Sequence, residues 1–161
     1  DVIRQMHSAF LDVGVDVLET ASFGSFSTVL SEYNISDKAY ELNVEAARLA
    51  RETANDYESS GKARYVAGSI GPGTKLPSLG HIRFTELRDA YVEQARGLIV
   101  GGADLFLIET CMDLLQIKAA MIACRQAMVA EGRQIPIQVQ VTMETTGRRF
   151  QQSGIIAISE M

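Results

Sequence analysis

Two carboxylates in this sequence sit in the same local context. Gly14-Val15-Asp16 leads through a short apolar run to Glu19-Thr20, and Gly102-Ala103-Asp104 leads through a longer one to Glu109-Thr110. In both, a helix pattern stops at Gly, a strand pattern follows, and an acid and a hydroxyl close the strand. If the two strands are parallel, their C-terminal ends share one rim, where barrels and open α/β sheets place their sites. Glu19 and Glu109 are therefore rim carboxylates. Other chemistries find less support. Cys111 and Cys124 form no CxxC pair, and no HExxH motif exists. His7 and His81 are far apart in sequence and fit no metal-ligand spacing. Gly68-Ser69-Ile70-Gly71-Pro72-Gly73 fails both the dinucleotide fingerprint and the P-loop pattern.

The elements that must position these residues follow from periodicity. Residues 1–14 predict a helix, with Ile3, Met6, Phe10 and Val13 at spacings of three and four. Val15–Thr20 predicts a short strand, and Ser25–Tyr33 a short helix ending near Asn34. Ser36 is a candidate N-cap for a long helix to about Ser59, with Leu42, Ala46, Leu49 and Ala50 as its inner stripe. Glu41, Glu45, Arg48, Arg51 and Glu52 make its solvated face. Tyr65–Ile70 is the next strand, followed by a Gly- and Pro-rich loop over 71–80. Thr85 is a candidate cap for a helix with Leu87, Tyr91, Ala95 and Leu98 on its apolar face. Asp104–Glu109 is a third strand. Asp113 caps a helix to about Glu131, with Leu114, Ile117, Met121, Cys124 and Met128 on one face. Pro136 introduces a fourth strand, Ile137–Met143. Helix–strand alternation of this kind implies a parallel sheet. In the last strand Gln138, Gln140, Thr142 and Glu144 alternate with apolar residues. A polar face suits a barrel interior near its mouth better than a central strand of a doubly wound sheet, where both faces are apolar; an exposed edge is the other option.

Composition sets the limits. The chain has 161 residues, 47% of them apolar and 22% charged, which fits one folded domain and not a disordered tail. No apolar run reaches the roughly 18 residues of a membrane span. The net charge is −5 and Lys and Arg cluster no further than Arg148-Arg149, so phosphate-directed nucleic-acid binding is not expected. Two cysteines make no disulfide framework, and the chain opens on Asp1-Val2-Ile3 with no basic-then-apolar leader. A cytoplasmic setting is expected.

Four stretches, in order, carry a resemblance. They are Glu19-Thr20-Ala21-Ser22-Phe23-Gly24, the run from Tyr65 through Pro72 to His81, Gly101 through Glu109-Thr110 to Ala120, and Val141-Thr142-Met143-Glu144-Thr145-Thr146-Gly147-Arg148. Together they resemble the homocysteine-binding barrel of the homocysteine S-methyltransferases, and within that family the N-terminal module of the cobalamin-dependent methionine synthases. The resemblance implies an α/β chain that is a partial (β/α)8 TIM barrel of about four βα units, strands two to five. A whole barrel of this type needs about 250 residues. Residues 1–148 would be the partial homocysteine-binding barrel. Residues 149–161, where Arg149-Phe150-Gln151-Gln152-Ser153-Gly154 replaces the expected apolar stretch, would be a divergent tail of the kind a shifted frame or truncated gene produces.

The resemblance also implies a chemistry. The family transfers a methyl group to the homocysteine thiol, forming methionine, and its zinc lowers the thiol pKa. The zinc is held by three cysteines in segments this sequence does not contain. Zinc and cobalamin are thus cofactors of the parent family, and none is expected to bind this chain alone. No catalytic residue and no metal ligand is expected here. The expected partners are homocysteine and, in the parent protein, the other barrel half and folate and cobalamin modules. Substrate contacts would come from Glu109, matching the glutamate that holds the amino group, from Thr20, Ser22 and Phe23 in the turn after the second strand, from Glu19, and from Gly71, which lets its loop approach closely. Ala21 stands where the family often has Asn. Plainer roles remain open: Glu109 as an acid near a helix N-terminus, the 20–24 and 71–72 segments as ordinary turns. Cys111 is expected to be a small half-buried residue, Cys124 core, His81 a loop residue and His7 a helix-face residue. The alternatives to an inactive fragment are a standalone binding domain for a small molecule or protein, and a homocysteine methyltransferase using a donor such as S-methylmethionine or betaine.

Overall fold

The computed structural model describes residues 2–58 and 61–142, and the backbone of 153–157. The order is α1 (Val2–Asp12), β1 (Val17–Glu19), α2 (Ser27–Leu30), α3 (Ala39–Asp56), β2 (Tyr65–Ile70), α4 (Phe84–Gly101), β3 (Leu105–Cys111), α5 (Leu114–Glu131), β4 (Ile137–Thr142) and β5 (Ser153–Ala157). The strands form one sheet in chain order, β1-β2-β3-β4-β5. The first four are parallel and β5 runs antiparallel on β4. The parallel part is the sheet that helix–strand alternation predicts. The antiparallel strand falls in the segment expected to be a divergent tail.

The sheet has two unlike faces. Leu18, Val66, Ile70, Phe106, Ile108 and Val139 enter the apolar core with the helices. The alternate positions, Val17 and Glu19, Ala67 and Ser69, Leu107 and Glu109, Gln138 and Gln140, belong to the other face. The polar alternation read in the fourth strand is this second face as far as Thr142; Met143 and Glu144 lie outside the described residues.

Several predicted details shift. Ser36 caps nothing: it opens a 3-10 turn over Ser36–Lys38, and α3 begins at Ala39 without a side-chain cap. Thr85 lies inside the first turn of α4, whose N-cap is Arg83. Asp113 does cap α5, its Oδ1 accepting from the Leu115 N–H at 2.8 Å. On α3 the buried face is Ala39, Asn43, Ala47, Ala50, Thr53 and Ala54, one position round from the predicted stripe, and Leu42 is exposed. The reason is α4. A Cβ on Gly97 would lie 2.7 Å from the Tyr40 carbonyl, and one on Gly101 would overlap the Val44 carbonyl. The two backbones approach so closely that α3 must present its small residues there. On α5, Ile117, Cys124 and Met128 are buried as predicted, alongside a run of alanines, while Leu114 is 59% exposed.

α1 differs most. Its inward residues are His7 and Leu11, whereas Phe10 is 53% and Val13 79% exposed. His7 is thus buried, not surface-facing. The apolar stripe instead borders an open cleft of about 400 Å³ along the free edge of β1, lined by Met6, Phe10, Val15, Val17 and Ala21 among others.

The opposite end of the sheet is tied by charge. Arg51 on α3 pairs with Asp104, donates to the Arg64 carbonyl at 3.1 Å, and Asp104 Oδ2 accepts from the Val66 N–H at 2.8 Å. No described helix is long and apolar enough to cross a membrane.

Candidate functional site

The C-terminal ends of β1, β2 and β3 meet at one rim. Glu19 closes β1, Ser69 sits one residue from the end of β2, and Glu109 lies near the end of β3. They line an open cleft of about 490 Å³ with Thr20, Ala21, Ser22, Phe23, Gly24, Ser25, Val29, Leu30 and Tyr33. No Lys, Arg or His is among its described lining residues.

A chain of hydroxyls stitches the rim together. Thr20 Oγ1 and Ser22 Oγ lie 2.5 Å apart. Ser22 Oγ donates to the Ser69 carbonyl at 2.7 Å, and the Ser69 N–H donates to Thr20 Oγ1 at 3.0 Å. Ser69 Oγ then donates to Glu109 Oε1 at 2.6 Å, a charge-assisted bond that fixes the carboxylate and leaves its other oxygen for a ligand. Thr20, Ser22 and Ser69 are all buried. Loss of water and then the charge of Glu109 push the Glu19 carboxyl above its ordinary range, although Glu19 remains exposed overall. Two carboxylates so placed repel each other, and a cation between them relieves both.

Glu109 owes its aim to an irregularity in β3. Ile108 pairs with Val139 but Cys111 pairs with Val141, so Glu109 and Thr110 together oppose one residue. This is a β-bulge. Thr110 takes the left-handed conformation at φ 58°, which a β-branched residue rarely adopts. Glu109 is a strand residue five positions before α5, so the plainer role of a helix N-terminal acid falls to Asp113. That side chain is buried, and its Oδ2 also accepts from the Ser78 N–H at 2.9 Å. Burial works against its charge, but hydrogen bonds from Ser78, Leu115 and Gln116 outweigh it and hold the carboxyl below its ordinary range.

Phe23 stands at the cleft, about half exposed. Gly71 lies directly behind it and not in the lining. A Cβ on Gly71 would come within 2.7 Å of the Phe23 ring, and the Gly71 N–H donates to the Phe23 carbonyl at 2.9 Å. Of the residues singled out in the sequence, the structure thus brings Glu19, Thr20, Ser22, Phe23 and Glu109 together, with Gly71 supporting them. Sequence reasoning missed Ser69, the hinge of the network. The available signal was strand parity, since Ser69 shares a face with Ala67 and lies in register with Leu107, two residues before Glu109.

The cysteines and histidines do other work. Cys111 is buried, its Sγ donates to the Glu109 carbonyl at 3.3 Å, and burial, then the charges of Glu109 and Asp113, push its thiol up to about 12. Cys124 is core, its thiol also pushed up by burial. His7 donates from Nε2 to the Glu19 carbonyl at 3.1 Å, and burial lowers its pKa. Among the described residues, no group of three or more His, Cys, Asp or Glu could hold a metal ion. With both thiols buried and their pKa values pushed up, the described residues do not fit a zinc site.

The profile of the homocysteine S-methyltransferase family matches residues 1–157. Methionine synthases of Mycobacterium tuberculosis and Mycobacterium leprae are 46% and 47% identical over 147 residues, 91% of this chain. The chain spans only 12% of the length of those relatives. Among solved structures, the metallated homocysteine methyltransferase MmuM from Escherichia coli superposes with a TM-score of 0.73 at 20% identity, over 91% of this chain and 53% of its own; its apo form gives 0.63. A likeness at that identity is one of fold, and on the family profile and the methionine synthase identities the chain belongs to the homocysteine S-methyltransferase family.

Proposed function

We propose that the cleft holds the amino-acid end of homocysteine, and that the chain supplies strands two to five of the (β/α)8 homocysteine-binding barrel of a methionine synthase. One observation carries this reading: Glu19 and Glu109 converge on a cleft whose described lining offers hydroxyls and no positive side chain. An ammonium group bound by Glu109, with Ser69 holding the carboxylate in place, satisfies that arrangement. Thr20, Ser22 and Phe23 shape the wall, Glu19 adds a second negative charge, and Gly71 sets how near the β2 loop comes. The module extends over residues 1–148, with 149–161 as a divergent tail.

The open edge of β1 and the apolar stripe of α1 support a partial barrel. The other barrel half covers them, with the folate and cobalamin modules beyond it in the parent protein. Zinc and cobalamin belong to those parts, so the chain alone does not transfer methyl groups, and it works in the cytoplasm. The test is Glu109→Gln in the intact protein that carries this chain. Loss of a hydrogen bond to a charged group is worth about 1.5–3 kcal/mol, so the KM for homocysteine should rise roughly 10- to 100-fold. An unchanged KM rejects the assignment. Methyl transfer by the isolated chain rejects the claim of inactivity.

A further inference from the structure

Three buried polar side chains reach the rim from behind, and none lines the cleft. Gln94 and Tyr91 stand three residues apart on α4, so they share a face. Both are fully buried. Gln94 Nε2 donates to the Ser22 carbonyl at 2.7 Å, and Tyr91 Oη donates to the Gly71 carbonyl at 3.0 Å. Asn43 on α3, equally buried, donates from Nδ2 to the Ala39 carbonyl at 2.6 Å and also to the Ser25 carbonyl. A buried amide costs free energy unless it is paired, and apolar residues would fill these helix positions at less risk. Each of the three donates at least one bond to the backbone of the two loops at the rim, at Ser22, Ser25 or Gly71.

The Gln94 contact continues to the carboxylate. Gln94 holds the Ser22 carbonyl, Ser22 Oγ donates to the Ser69 carbonyl, and Ser69 Oγ donates to Glu109. Every link is 2.6 or 2.7 Å. A shift of the Ser22 peptide therefore moves Ser69, and with it the oxygen that orients Glu109. We infer that Gln94, backed by Tyr91, is a positioning residue that sets the aim of Glu109 from inside α4, and so tunes ligand affinity without touching the ligand.

The inference rests on the amino-acid reading of the cleft, and its test separates the two. In the intact protein, Gln94→Met removes the donor at nearly constant volume. The expected result is a KM for homocysteine raised about tenfold, the loss of one ordinary hydrogen bond's worth of aim, with kcat within about twofold. Combined with Ser69→Ala, Gln94→Met should add little, because its effect passes through Ser69. Tyr91→Phe keeps the ring, which packs 4.6 Å from that of Phe26, and should act in the same direction more weakly, which keeps the question open to test should Gln94→Met fold poorly. A crystal structure of either variant supplies a readout free of activity: Ser69 Oγ beyond hydrogen-bond reach of Glu109 is expected. Fully additive effects, a fall in kcat alone, or an unmoved Ser69–Glu109 pair overturns the inference. If the unmodified intact protein shows no saturable use of homocysteine, the amino-acid reading fails and the crystallographic distance still decides the role of Gln94.

Discussion

Glu19 and Glu109 pull the molecule in opposite directions. In the proposed reading both serve a cation, while loss of water and then the charge of Glu109 disfavour the ionised form of Glu19. The sign is fixed by the raised pKa of Glu19. The folded state holds the Glu19 proton more tightly than the unfolded one, so stability falls as pH rises through the window between the ordinary carboxylate value and the higher folded one. Glu19→Gln should therefore raise the melting temperature at pH 7, and the gain should vanish below about pH 4, where the Glu19 carboxyl is protonated in the folded and unfolded states alike. Thermal melts of the two proteins across that range check it. Glu109 and Glu19 were legible in the sequence because each lies at or near the end of a strand behind the same Gly-to-acid pattern. Ser69, Gln94 and Tyr91 were not, because their roles depend on partners 40, 72 and 20 residues away, and no local period encodes such a pairing.

Among the elements, β3 and α4 carry the site. The bulge in β3 holds Thr110 in a conformation that costs a branched residue roughly 1–2 kcal/mol, and Gly adopts it freely. Thr110→Gly should raise stability by about that amount or less, since Gly also adds unfolded-state entropy, while loosening Glu109 and weakening ligand binding. Denaturant unfolding beside a KM measurement checks both halves. The contact of α4 with α3 permits no such freedom. Gly101→Ala puts a methyl against the Val44 backbone and should destabilise by about 1–3 kcal/mol through overpacking, read as a lower denaturation midpoint. The order of strands and helices was legible from periodicity, and Tyr65–Ile70 to the residue, whereas β1 proved shorter than expected and β3 ran on to Cys111. The buried face of α3 was not. Leu42 and Leu49 outrank Ala47 and Asn43 in apolarity, and only the glycines on the facing helix reverse the order.

At the scale of the molecule, the sheet packs its apolar face on the helices, and its described edges are β1 and β5. Neither β1 nor β5 has a neighbour beyond it among the described strands, and β1 runs beside the cleft lined by Met6 and Phe10. An open edge beside an apolar cleft invites pairing with another chain. The isolated 161-residue chain should self-associate at micromolar concentration, and Phe10→Glu should suppress that association; sedimentation velocity on both proteins checks it. The two faces of the sheet also sort the sulfur. Cys111 and Cys124 both lie in the core on the helix side. In an unbroken strand, Cys111 would share parity with Leu107 and Glu109 and turn toward the cleft; the bulge shifts that parity and sends it to the other side. A thiol held beside a bound thiol is a mixed disulfide awaiting an oxidant. On the proposed reading of the cleft as a homocysteine site, the extra residue in β3 thus insulates it against capturing a thiol ligand covalently.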